Sequence, residues 1–105
     1  MLVSGLYMGC YRLRVSRGAY YIHIPMRLAM QVGSRKVRVV MRVDSRACDG
    51  AEMHGTTLAF PATLTRVGST FRIKLPSRYN SLAERIIDCA TVDVWLAPRT
   101  EGEYR

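Results

Sequence analysis

The chain has 105 residues, 49% of them apolar, and a net charge of +8 carried almost wholly by arginine. That is enough for one hydrophobic core, too apolar for a disordered chain, and without any apolar run near the roughly 20 residues a membrane helix needs. Such an excess of cations on a small domain points to a polyanionic partner, nucleic acid first, then an anionic membrane or an acidic protein.

The charge is uneven: residues 1–52 carry nine basic and three acidic side chains, and residues 53–105 carry seven and five. Met1 to Met8 has no basic start and no sustained apolar core, so a signal peptide is not expected and the protein is read as cytoplasmic. Within that segment Leu2 to Tyr7 is apolar enough for a strand, although Gly5 and Gly9 weaken it. Cys10, Cys48 and Cys89 are odd in number and far apart, which offers no metal cluster. They are read as three small buried side chains in a reducing compartment, with one disulfide as the alternative for a hyperthermophilic source.

Tyr11 to Val15 alternates, with Tyr11, Leu13 and Val15 on one face and Arg12 and Arg14 on the other. Ser16-Arg17-Gly18 is a turn, and Ala19 to Ile24 returns with Tyr20, Ile22 and Ile24 inward and Tyr21 and His23 outward. Pro25 opens a short helix over Met26 to Val32, ended by Gly33. Val37 to Val43 is a strand with four apolar side chains on one face and Arg38 and Arg42 on the other. Asp44 to Gly55 is a polar loop in which His54 has no evident partner, and Thr56 to Phe60 is a short strand with Pro61 at an edge or bend. Ala62 to Thr65 and Phe71 to Leu75 form a second hairpin, in which Arg66 stands where Val15 stood, so that strand is expected to bulge or end early. Ser77 is placed to cap a helix running to Asp88, and Val92, Val94 and Leu96 close a last strand that Pro98 stops. The tail from Arg99 is charged and expected to be loose.

Two stretches match without a gap. Tyr20-Tyr21-Ile22-His23-Ile24-Pro25 aligns with Phe71-Arg72-Ile73-Lys74-Leu75-Pro76, and the match extends upstream to Leu13 and Leu64. Farther on, Lys36-Val37-Arg38-Val39-Val40 aligns with Thr91-Val92-Asp93-Val94-Trp95 after a segment longer in the second copy by about one helical turn. The chain is therefore a tandem duplication, with repeats at about 11–60 and 62–97 and a charged tail over 98–105. Each unit is too small to bury a core alone, so the two fold as one domain over 1–105. The expected class is mainly β with two short helices (α+β).

Arg17-Gly18, Ile22-His23-Ile24-Pro25, Arg27-Leu28 and Lys36-Val37-Arg38-Val39 together resemble the AbrB/SpoVT swapped-hairpin family of transcription regulators and antitoxins. Gly68-Ser69, Ile73-Lys74-Leu75-Pro76, Arg78 and Val92-Asp93-Val94 repeat the resemblance. It implies a swapped-hairpin β-barrel built by one chain as a pseudo-dimer, monomeric or further paired. It also implies duplex DNA binding through Arg12, Arg14, Arg17 and Arg27, then Arg72, Lys74 and Arg78. Ser34-Arg35-Lys36 departs from the family's acidic approach to the third strand. The second unit has no evident fourth strand after Leu96, a place the N-terminal segment is expected to fill.

No spacing of histidines and carboxylates forms a metal site, triad or acid pair, so no enzyme activity and no cofactor are expected. The favoured function is duplex DNA binding, as a transcription regulator or architectural factor. The alternatives are a protein-interaction module, such as an antitoxin or assembly subunit, whose basic face covers an acidic partner, and an RNA-binding domain stacking bases on Tyr20 or Tyr21.

Overall fold

The computed structural model describes residues 5–49 and 52–99. In it β1 (Leu6–Tyr11), β2 (Arg14–Ser16), β3 (Ala19–Pro25) and α1 (Met26–Ala29) lead into β4 (Lys36–Asp44). Then β5 (Thr57–Thr63), β6 (Thr65–Val67), β7 (Thr70–Lys74) and α2 (Asn80–Ile86) lead into β8 (Thr91–Pro98). The strands form two antiparallel four-stranded sheets, ordered β1-β8-β4-β5 and β2-β3-β7-β6. The fold is mainly β with two short helices. No helix among the described residues is long and apolar enough to cross a membrane.

The same order of elements occurs twice along the chain, and the two halves meet in both sheets. In the β3–β7 pair, Ile22 lies opposite Ile73, its own counterpart in the repeat. In the β4–β8 pair, Val40 lies opposite its counterpart Trp95. An antiparallel ladder in which a residue meets its own counterpart has a local two-fold axis at that point. The strand β1 pairs with β8 of the other unit, and β5 pairs with β4. The two units thus exchange their first strands, and the repeat seen in the sheets runs Leu6–Asp44 and Thr57–Pro98. The Thr56 to Phe60 stretch, read from sequence as an appendage of the first unit, opens the second.

No closed barrel forms among the described residues. The run Tyr11 to Val15 is not one strand: β1 ends at Tyr11, β2 begins at Arg14, and Arg12 and Leu13 turn the chain from one sheet to the other. Leu64 makes the corresponding corner in the second unit. Leu13 and Leu64 are buried at these corners, so apolar packing, rather than a continuous ladder, joins the sheets there. The Leu64 N–H still reaches across to the Arg35 carbonyl (2.7 Å).

Inward side chains of the sheets supply the core: Ile22, Ile24 and Ile73 from one, Val37, Val39, Met41, Val94 and Leu96 from the other. Each such side chain contributes about 1.5–3 kcal/mol when fully removed from water. Arg66 is tolerated opposite Phe71 without a bulge, because it and its counterpart Val15 lie in exposed strands that project past the core. Pro61 sits in the edge strand β5, where its missing N–H breaks no inner ladder. The segment Leu6 to Tyr7 pairs with Leu96 and Trp95, and the ladder continues through a bulge at Gly9 to Tyr11. Leu2 to Ser4 of the expected strand lie outside the described residues. Gly5 has φ +114°, and a Cβ there would stand 2.7 Å from the Leu96 carbonyl oxygen, so the chain enters β1 only with glycine.

The helices are shorter than the sequence pattern suggests. A 3-10 turn, Met30–Val32, extends α1 before Gly33 ends it at φ 79°. Ser77–Tyr79 is also a 3-10 turn ahead of α2, and Ser77 makes no capping bond. The expected tail begins later than Pro98, which belongs to β8. The Arg99 N–H donates to the Lys36 carbonyl (2.9 Å), and residues 100–105 lie outside the described part.

The cysteines do not form three buried thiols. Cys48 and Cys89 are joined by a disulfide with a Cα–Cα separation of 5.2 Å, and Cys10 is exposed. The bond pins the loop after β4 to the end of α2, elements 41 residues apart in sequence. Closing a loop of that length stabilises by about 2–4 kcal/mol. Alkylation of the native protein should therefore tag one thiol, Cys10, and reduction should release two more and lower the stability by that amount. Met8, 2% exposed, is the buried side chain of β1. Met8→Ala should cost about 2–5 kcal/mol in chemical denaturation; an unchanged midpoint would mean that β1 does not hold the sheet.

Candidate nucleic-acid interface

The pairing of β2, β3, β7 and β6 decides which polar side chains share a face, because residues directly opposite in an antiparallel ladder point the same way. One row is Arg14, Tyr21 and Lys74. The next is His23, Arg72 and Thr65. Both rows lie on the side away from Ile22 and Ile73. Neighbouring strands are about 4.8 Å apart, so three cations from two hairpins sit within about one Debye length of each other. Of the seven basic residues expected from sequence, Arg14, Arg72 and Lys74 are brought together here.

The other four are placed differently. Arg12 occupies the corner after β1, where its Nη1 donates to the Asp88 carbonyl beyond α2 (3.4 Å). Arg17 lies in the two-residue turn of the first hairpin, at φ 52° before Gly18 at φ 76°, the primed turn geometry that suits the twist of a hairpin. It is exposed at the tip of the same sheet. Arg27 lies on α1 and borders a hollow with Gly68 and Ser69 of the second hairpin. Arg78 stacks on the Tyr79 ring (4.7 Å), which in turn packs against Phe60.

Tyr21 is the aromatic member of the face. The Arg72 guanidinium lies 4.4 Å from its ring centre, a cation–π contact that fixes both side chains. Tyr20 points inward and packs against the core. Beside them the His23 Nδ1 is 3.4 Å from the Thr70 hydroxyl, which itself donates to the Val67 carbonyl (2.9 Å). The hydroxyl's one hydrogen is thus committed, and His23 meets it as an Nδ1–H donor. Burial lowers the His23 pKa from its ordinary value, and the positive charges of Arg14 and Arg72 lower it further.

The second sheet carries a separate outward cluster that the sequence did not single out. Tyr7, Trp95 and Val40 make an apolar row. The Tyr7 hydroxyl donates to Asp93 (2.7 Å), Arg42 reaches Asp93 (3.6 Å), and Arg42 also lies over the Trp95 ring (5.4 Å). Its cation is neutralised in place, unlike those of the first sheet. In the loop, Arg46 pairs with Asp44 through its side chain and holds that carboxyl down at about 2. His54, without a partner in sequence, takes a hydrogen bond from the Ser45 N–H at Nδ1 (3.3 Å). Among the described residues no group of three or more His, Cys, Asp or Glu is arranged to hold a metal ion.

The titration of His23 has a defined sign. Its folded pKa lies below the unfolded one, so its contribution to stability is full above about pH 6.5 and is lost as pH falls through the folded value. NMR titration should find the His23 midpoint below that of an unfolded reference peptide. Arg14→Ala and Arg72→Ala should each move it upward, burial accounting for what remains. A midpoint unmoved by both substitutions would mean that the two guanidiniums do not face the ring.

Comparison with family models, with curated proteins and with solved structures found no match for this chain.

Proposed function

We propose that the chain binds duplex DNA through the outward face of the β2-β3-β7-β6 sheet, as a transcription regulator or architectural factor of AbrB/SpoVT-like design. The observation that carries this reading is the gathering of Arg14, Arg72 and Lys74 from both hairpins onto one face around Tyr21 and His23. Among the described residues, no carboxylate pairs with any of these three cations. Phosphates would be neutralised by them and by Arg17 at the hairpin tip, which is the sequence-independent part of DNA affinity. The Arg72 guanidinium occupies one side of the Tyr21 ring, and Tyr21 is a lone outward ring among cations, not one of a series of stacking platforms. That favours backbone contact with a duplex over base stacking with single-stranded RNA.

DNA contact also sets a proton linkage. Phosphate beside His23 favours its charged form, so binding should tighten as pH falls from about 7 to about 5.5. His23→Gln should remove that dependence without abolishing binding, measured by fluorescence anisotropy at fixed salt. An unchanged pH dependence in the variant would place His23 outside the contact.

Two triple variants test the face itself. Arg14→Ala, Arg72→Ala, Lys74→Ala removes three cations of the face. Arg12→Ala, Arg42→Ala, Arg85→Ala removes the same charge from places where the guanidinium serves Asp88, Asp93 and Glu52. The first should flatten the slope of log K against log salt by about two to three units and weaken duplex binding by about tenfold or more beyond the second. Equal losses would leave only diffuse attraction, and absence of duplex binding by the parent chain would overturn the reading.

A further inference from the structure

A groove runs between α1 and the β6–β7 hairpin, on a different part of the surface from the rows of Arg14 and Arg72. Met26, Met30, Leu64 and Phe71 line it, with Arg35 and Arg66, and its volume is about 470 Å³. Through Met26 and Arg66 it continues into a second hollow bordered by Arg27 and the Gly68-Ser69 turn. Met30 is 64% exposed, the most exposed large apolar side chain among the described residues.

The cations here are placed rather than free to swing. The Arg35 Nε and Nη2 both donate to the Leu64 carbonyl (3.2 and 3.0 Å), and its guanidinium carbon lies 5.8 Å from the Phe71 ring centre. A guanidinium has five N–H donors, so three remain for a ligand. The Arg66 Nε donates to the Gly68 carbonyl (3.4 Å). No carboxylate among the described residues pairs with Arg27, Arg35 or Arg66.

The groove exists because the units differ. The helical stretch of the first unit is seven residues, α1 plus its 3-10 turn, against ten in the second. Gly33 ends the first one early, and the second is further held by the Cys48–Cys89 bond. The first unit therefore leaves an apolar surface open at the end of a short helix.

We infer that this groove docks an acidic amphipathic segment of a partner protein, a short helix whose apolar side chains lie on Met26, Met30 and Phe71 and whose carboxylates meet Arg35 and Arg66. Methionine adapts its shape to varied apolar partners, and helix-in-groove recognition needs an apolar floor with charges at its margins. A nucleic-acid track needs the opposite, a row of cations along a polar path. The site is independent of the DNA-binding face proposed above.

A library of displayed 12-residue peptides, selected on the wild-type chain and depleted on Met30→Glu, tests this. Met30 is exposed, so the variant should melt as the parent does, and Arg66→Glu provides a second exposed change. Enriched peptides should carry two apolar residues three or four apart with Asp or Glu between or beside them. A synthesised winner should bind the parent at least tenfold more tightly than either variant, weaken with salt, and shift amide signals from Met26 to Arg35 and from Leu64 to Phe71. Met30→Glu should leave duplex binding unchanged, which separates failure here from failure of the DNA reading. Enrichment of basic or neutral peptides, no enrichment over Met30→Glu, amide shifts centred on Tyr21, or displacement of the peptide by duplex DNA would each overturn the proposal.

Discussion

The pairing of β3 with β7 is the contact on which the molecule depends. Ile22 faces Ile73 across a local two-fold axis, and Ile24 faces Phe71. These side chains are buried, so their removal from water fixes the register. A slip of one residue would turn the outward side chains of one strand, Tyr21 and His23 or Arg72 and Lys74, into the core and expose that strand's apolar ones. The same hydrophobic constraint that centres the sheet therefore also aims its cations outward. Stability and the proposed interface are two faces of one ladder.

The exchange of first strands follows from the corners at Leu13 and Leu64. Each unit's opening strand leaves its own hairpin and joins the last strand of the other unit. Neither unit retains a complete sheet of its own, which makes the two inseparable as folding bodies. It also leaves β1, β5, β2 and β6 as edges rather than seams of a closed barrel. Those edges are short, twisted by a bulge at Gly9, or interrupted by Pro61, devices that blunt edge-to-edge association.

The two units have diverged most where they meet solvent. Arg14 has Thr65 as its counterpart, and Arg66 has Val15. One unit thus places its cation on the outward face of the sheet, and the other places one beside the groove. The second unit's longer helix and its disulfide to the loop after β4 stiffen one end of the molecule, while the first unit's short α1 leaves an apolar recess. A near-symmetric core thus carries an asymmetric surface, and the two proposed interfaces lie on its two different parts.

The sequence alone determined the β-rich class, the hairpin turns at Gly18 and Gly68 and the inward set Ile22, Ile24 and Ile73, because alternation and turn chemistry are local. It also made the outward direction of Arg14, Arg72 and Lys74 legible, since parity along a strand follows from the buried positions. Only the tertiary structure decided that these three meet, because the β3–β7 register joins residues some fifty positions apart. It likewise separated Arg12 and Arg78 from them, one turned to Asp88 and the other stacked on Tyr79. The run Tyr11 to Val15 alternates as one strand would, yet packing of Leu13 splits it between two sheets. Cys48 and Cys89 show the same limit, for their pairing depends on where a loop and a helix end come to rest, and no spacing in the chain encodes that.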